Sequence, residues 1–401
     1  MKSFMMTLFL AFAAANAADA PGSYQPPDLF AGGEYTITWQ QTIASAEQPA
    51  PAMTIGETEI AVRPLPRQKE KDAPRAALFI GDKIRSKTLI YPGKPYHFAV
   101  VGREGKLQVF INGFPDGEPF EAKLSGRKKV NLAVETTGAA MSEEDILRGV
   151  RRHVPERETK VVAHRGVHKH APENTRISYV QALEAKAPIV EIDTALSKDG
   201  VIVLMHDKTV DRTTNGTGNV SDLTADELSR LDAGSWKHEK YAGEPVPRLE
   251  DIAELCRGKA VCMLDLKAEG QGKAIAEWLE RSKFPRDQVL LAPWTDEEGV
   301  ALRQHVTIVP MIRLTSQVPT KVVDDAYFAK MRQIGFTGFS VNWQYLTKEF
   351  ADAARKNGMR VYVWTVNDNA DIAGAMLLGV DGVITDDAAV TAKTLAELAR
   401  K

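Results

Sequence analysis

Two hydrophobic rhythms divide the 401-residue chain. From about Phe30 to Glu135 apolar and polar positions alternate, with Tyr35, Ile37 and Trp39 on one side and Thr36, Thr38 and Gln40 on the other. A period of two is that of a half-buried strand. It recurs at Leu107, Val109 and Ile111, beside the turn signals Glu104-Gly105 and Asn112-Gly113, so residues 24–141 are expected to form an all-β sandwich of short antiparallel strands. After Thr159 short apolar runs alternate with helical segments, the βα rhythm of a parallel sheet or barrel. Strands are predicted to start near Val161, Ile189, Val201, Ala260, Val289, Ile308, Gly338, Arg360 and Gly382. The run from Val201 follows its predecessor through only Lys198-Asp199-Gly200, too little for the crossover that a parallel neighbour needs, so it must be a hairpin partner. Eight staves remain. The expected fold is α/β, a (β/α)8 TIM-type barrel over 159–401 with a hairpin-containing excursion, Val201 to about Arg248, after strand two. Its helices are credible: Ile275, Trp278 and Leu279 share one face of the third, and Ile372 and Met376 precede a Gly379 stop in the seventh. Residues 142–158 form the connector, where Ser142 with Asp145 three positions on gives a capping signal before a helical run that ends at Pro155.

Charge adds little and excludes something. With 51 basic against 53 acidic residues, no excess points to nucleic acid or an anionic membrane surface as the main partner. A small molecule fits better. Residues 1–17 read as a signal peptide: Lys2, an apolar run from Phe4 to Ala15, and the small-residue pattern Ala15-Asn16-Ala17. The run is shorter than the ~20 residues of a membrane span, and no Cys follows it to accept a lipid. Export to the periplasm or beyond the cell is expected, with no integral membrane segment once the signal is removed. In that setting Cys256 and Cys262, the two cysteines, suit either a disulfide or two small core residues.

The chemistry-bearing residues fall at strand ends. A βα barrel places its active site at the C-terminal ends of the strands. His164 and Arg165 end strand one, Glu191 and Asp193 lie two apart on strand two and so point the same way, Asp265 and Lys267 do the same on strand three, and Trp364 ends strand seven. Three carboxylates at one place repel one another unless a cation relieves them. Glu191, Asp193 and Asp265 supply an all-oxygen set that suits a hard divalent ion, Ca2+ or Mg2+, and equally suits a structural network with Arg165 and Lys267. His164 and His206 can exchange protons near neutral pH. Asn174 reads as the cap of the first barrel helix, with Glu173 beside it as a pocket candidate. Trp364 suits a pocket wall or a core position. His168 and His170 read as solvated, and His97, His153, His238 and His305 lie off the constellation.

The strings His164-Arg165-Gly166, Pro172-Glu173-Asn174-Thr175, Glu191-Ile192-Asp193, His206-Asp207, Arg212-Thr213-Thr214 and Leu264-Asp265-Leu266-Lys267 resemble, in this order, the glycerophosphodiester phosphodiesterase family. The resemblance covers about 158–401. It implies metal dependence, with Glu191, Asp193 and Asp265 as ligands of one divalent cation, and catalytic positions for His164 and His206, one removing a proton from the attacking oxygen and the other protonating the departing alcohol. Arg165 and Lys267 would hold the phosphate oxygens. Asp265 stands where the family more often has Glu, which leaves the ion open, and Arg248 stands where it usually has a small polar residue. The sandwich loosely resembles the laminin-G or concanavalin-like group over Tyr96–Val100 and Leu107–Gly113, which implies a glycan or polymer ligand.

The expected activity is hydrolysis of a glycerophosphodiester to sn-glycerol 3-phosphate and an alcohol, with water or the glycerol's own vicinal hydroxyl as nucleophile. Two alternatives are a phospholipase-D-like or lysophospholipase activity on lipid headgroups, and a carbohydrate-binding protein with a vestigial barrel.

Overall fold

The computed structural model describes residues 34–44, 53–55, 58–66, 72–104, 106–121, 128–130, 134–137, 140–318 and 324–399. The expected signal peptide and the Ala- and Pro-rich loop near Ala46 to Ala52 lie outside them. Among the described residues no helix is long and apolar enough to cross a membrane.

The N-terminal strands form two antiparallel sheets. In one, Tyr35–Thr42 and Pro95–Arg103 pair along their length, with Lys106–Ile111 on the far side and Val134–Thr137 on the near edge; in the other, Thr58–Leu65 pairs with Arg75–Ile80. Tyr35, Ile37 and Trp39 enter the core between the sheets with Phe98, Val100, Ile60 and Leu78, as their alternation predicts. Asn112 (φ 50°) and Gly113 (φ 90°) turn one hairpin with the positive dihedrals an Asn-Gly loop supplies. Thr36 departs from the expected pattern, being buried on the outer face, where its hydroxyl accepts from Met141 N at 2.8 Å. The reason is helix Glu143–Arg151, capped by Ser142 as expected, whose Ile146 covers that outer face beside Ala99, Val101 and Phe110. Leu147 and Val150 of the same helix pack into the barrel core, so the helix is a wedge between the two parts.

Eight parallel strands make the barrel: β1 (Lys160–Ala163), β2 (Ile189–Leu196), β3 (Val261–Leu266), β4 (Val289–Ala292), β5 (Ile312–Thr315), β6 (Gly338–Asn342), β7 (Arg360–Trp364) and β8 (Gly382–Thr385). The ladder runs β4-β3-β2-β1-β8-β7-β6-β5 and closes where Leu291 N donates to Pro310 O (2.9 Å) and Leu314 N to Pro293 O (2.9 Å). Ile189, Met263, Ile312, Tyr362 and Ile384 fill the interior, while Val190, Ile192, Cys262 and Leu264 face the helices. Strand five starts at Ile312 and not near Ile308, which is 73% exposed. Pro310, which has no N–H to give a ladder, separates the two. The run after Gly200 is Ile202–Leu204, antiparallel to Thr194–Leu196, the hairpin that its short connection requires. The cysteines are free buried thiols; the hydrogen bond with Cys256, and then burial, push Cys262 well up.

Candidate active site

Strand register builds the acidic side of the barrel mouth. β2 and β3 pair with Asp193 opposite Asp265, and alternation puts Glu191 on the same inward face. One ligand atom from each of the three carboxylates lies within 4.8 Å of the others, and all three residues are buried. Lys267 Nζ reaches Asp265 Oδ2 at 2.5 Å and Asp193 Oδ1 at 3.2 Å, and Arg165 Nε reaches Asp193 Oδ2 at 3.0 Å. Although burial acts against it, Lys267 and Arg165 hold Asp193 below the usual carboxylate range. Glu191 receives the Arg165 backbone N–H (2.9 Å), yet among the described residues no Lys or Arg side chain comes within ion-pair distance of it. Burial, then Asp193 and Asp265, hold its carboxyl well above the ordinary range. The structural network of acids and bases is therefore present and incomplete. A buried Glu191 without a cationic partner and an Asp193 Oδ1 that meets the Lys267 ammonium at 3.2 Å without hydrogen-bond alignment are oxygens that fit a divalent cation.

The histidines are each seated by an aspartate. His164 Nδ1 lies 2.6 Å from Asp386 Oδ1, and His206 Nδ1 lies 2.7 Å from Asp207 Oδ1, which leaves each Nε2 for proton exchange. Burial holds His164 below the ordinary imidazole value. His206 reaches the mouth because the hairpin turns the chain back, with Met205 N donating to Asp193 O at 3.2 Å. Arg212, donating to Asp207 at 2.6 Å and to both oxygens of Glu173 at 2.9 and 2.8 Å, holds the Asp207 carboxyl at about 2.

His164, Arg165, Glu191, His206, Asp265, Lys267 and Trp364 line one cavity of about 140 Å³, with Met263, Leu314 and Ile384 as its apolar floor. Asp193 lies behind them, within the cluster. Glu173 sits elsewhere than expected: its carboxylate is clamped by Arg165 (2.8 Å) and Arg212, and it lines a separate cavity of about 10 Å³. Asn174 is not the helix cap, which is Thr175. Its positive φ of 55° turns its amide inward, where Nδ2 donates to Asp193 Oδ2 at 2.7 Å and Oδ1 accepts from Tyr179 at 2.8 Å. His168, expected to be solvated, is only partly exposed and is bonded, with Nε2 at 2.6 Å from Asp386. Arg248 pairs with Asp226 on the excursion.

Two residues of the site lay outside the sequence reading. Trp294, just beyond β4, packs edge-on to Trp364 (centroids 5.8 Å apart) and donates from Nε1 to Asp265 Oδ1 at 2.8 Å. Asp386 directly follows β8. The strand-end rule that exposes Trp364 applies to both.

Proton-exchanging imidazoles facing an array of fixed cations are the equipment of a barrel hydrolase for an anionic ester. The chain belongs to the Glycerophosphoryl diester phosphodiesterase family, whose profile matches residues 164–390. It is 33% identical over 250 residues to a glycerophosphodiester phosphodiesterase of Caldanaerobacter subterraneus, covering 61% of this chain and 98% of that one. A glycerophosphodiester phosphodiesterase of Bacillus subtilis is 30% identical over 242 residues, 56% of this chain and 82% of its own. Among solved structures, an Oleispira antarctica phosphodiesterase in complex with the product sn-glycerol-3-phosphate superposes with a TM-score of 0.54 at 26% identity, over 61% of this chain and 98% of that chain. A glycerophosphodiester phosphodiesterase of Agrobacterium tumefaciens gives 0.52 at 27% identity, over 59% of this chain and 100% of that one. The family match begins at His164 and leaves the sandwich outside it.

Proposed function

We propose that the protein is an exported, metal-dependent glycerophosphodiester phosphodiesterase, which hydrolyses a small soluble diester to sn-glycerol 3-phosphate and an alcohol. The observation that carries this reading is the cavity itself, in which two aspartate-seated histidines share one wall system with Arg165, Lys267, Glu191 and Asp265, and Asp193 stands behind them. Glu191, Asp193 and Asp265 would hold one divalent cation, Ca2+ or Mg2+, which when bound supplies positive charge for the phosphate oxygens. His164, partly buried and held below the usual imidazole range, is the base that takes the proton from the attacking hydroxyl. His206 gives its Nε2 proton to the departing alcohol oxygen, with Asp207 stabilising the ring. Arg165 and Lys267 orient the phosphate and offset the negative charge that grows on it in the transition state. Met263, Leu314, Ile384 and the two tryptophans give the cavity an apolar surface for the rest of the diester.

The test is release of glycerol 3-phosphate from a panel of headgroup diesters, after chelation and with Ca2+ or Mg2+ added back. Full activity in chelator removes the metal from the proposal. Faster cleavage of long-chain lysolipids than of glycerophosphocholine moves the substrate to the lipid-cleaving alternative.

A further inference from the structure

His168 has no part in that reaction, yet the fold brings it against the back of His164. His164 Nδ1 and His168 Nε2 both lie 2.6 Å from Asp386 Oδ1. The two rings stand edge to face with centroids 5.0 Å apart, and one ligand atom from each of the three residues falls within 4.8 Å of the others. The contributing segments are the loop after β1 and the residue after β8, neighbouring staves of the barrel.

The cluster is braced from outside. Lys169 N donates to Asp386 O at 3.2 Å and Lys237 Nζ to His168 O at 2.7 Å, fixing the loop that carries His168. Asn367 donates from Nδ2 to Asp386 Oδ2 at 2.7 Å and accepts from Asp386 N at 2.8 Å. Outer hydrogen bonds of this kind orient metal ligands before the ion arrives. The His164, His168 and Asp386 side chains are 16%, 22% and 21% exposed, so solvent reaches them.

A pair that merely orients an imidazole accounts for Asp386 and His164. It does not account for His168, whose Nε2 is turned onto the oxygen already used by His164. Two imidazole nitrogens and one carboxylate with a coordination position left for water are the donor set of Zn2+ and its transition-metal relatives, whereas Ca2+ and Mg2+ take oxygen. The Glu191, Asp193 and Asp265 cluster is the reverse case, so the mouth carries two clusters of opposite preference.

We propose that His164, His168 and Asp386 form a second metal site, selective for Zn2+-like ions, and that its occupancy silences the enzyme. The ion takes His164 Nδ1 away from Asp386 and withdraws the ring from proton exchange. The inhibitory half rests on the role given to His164 above; the binding half does not.

The test uses the full chain with saturating Ca2+, so that the acidic cluster is engaged. Zn2+ is titrated calorimetrically and Co2+ by its visible absorption, in the wild type, His168→Gln and Glu191→Gln. The expected result is one saturable equivalent with tetrahedral Co2+ bands in the wild type and in Glu191→Gln. In a cooperatively melting His168→Gln the affinity should fall at least about tenfold, with the Zn2+ concentration for half-inhibition rising in step. No saturable binding to the wild type, or undiminished binding to His168→Gln, overturns the site. Tight, His168-dependent binding with no loss of turnover overturns the inhibitory half, and with it the role of His164.

Discussion

Asp265 is held by its surroundings through both carboxylate oxygens. Trp294 Nε1 holds one oxygen at 2.8 Å and Lys267 Nζ the other at 2.5 Å, so the group is fixed although its stem is one carbon short of glutamate. Trp294→Phe keeps the wall and removes the N–H. It should raise the Ca2+ or Mg2+ concentration for half-activation about tenfold, with turnover at saturating ion little changed; an unchanged activation curve would leave Trp294 as a wall only. His164→Ala and His206→Ala should each lower turnover by about two to four orders of magnitude with Ca2+ or Mg2+ content unchanged, measured by steady-state rates and elemental analysis. Near-normal rates in both would remove the acid and base assignment.

Elements rather than residues decide how much could be read from the chain. The staves were legible because a strand buried on both faces is a short apolar run, and Glu191 and Asp193 interrupt β2 at a period of two that fixes their direction, as Asp265 interrupts β3. Strand five was misplaced because Val306, Ile308 and Val309 form an apolar run ahead of Pro310, and hydrophobicity alone does not show that the ladder waits for Ile312. Asn174 and His168 were misjudged for a different reason. Their partners, Asp193 and Asp386, lie far along the sequence, and the turn that aims Asn174 depends on a positive φ. Gly166, in the turn directly after β1, has φ 82°, and a Cβ there would stand 2.3 Å from Ser178 Oγ and 2.6 Å from its backbone carbon. Gly166→Ala should therefore cost more than about 1 kcal/mol and show as a lower Tm, with activity falling further than stability because Arg165 and the loop to His168 move with it.

At the scale of the molecule the sandwich is docked rather than tethered. Gly93 O accepts from Lys348 N at 2.7 Å, Asn112 Nδ2 donates to Ala370 O at 2.9 Å, and Lys94, 1% exposed, lies over the Trp343 ring at 4.7 Å. Burial pushes Lys94 down to about 7, so between there and its ordinary 10.5 folding sheds a proton and this group's contribution to stability rises with pH. Burial pushes Asp371 up to about 7, so between 3.8 and there folding takes up a proton and the contribution falls with pH. The two together make the interface weakest near neutral pH. Replacing both, Lys94→Met with Asp371→Leu, should flatten the dependence of Tm on pH and raise Tm around neutrality, and a curve that keeps its neutral minimum would place its origin elsewhere. Neighbouring residues at the start of the segment between Trp364 and Leu377 meet both parts: Asp368 and Ala370 are held by the sandwich, through Thr88 (3.4 Å) and Asn112, and Asn367 beside them holds the carboxylate that seats His164. Asn112→Ala should accordingly slow turnover by about two- to thirtyfold with KM nearly constant, since couplings of this reach are worth about 0.5–2 kcal/mol. Were the sandwich fastened to a polymer or a surface, a pull on it would be felt by the imidazole proposed above as the base, and the accessory sheets would serve the barrel as a throttle as well as a mooring.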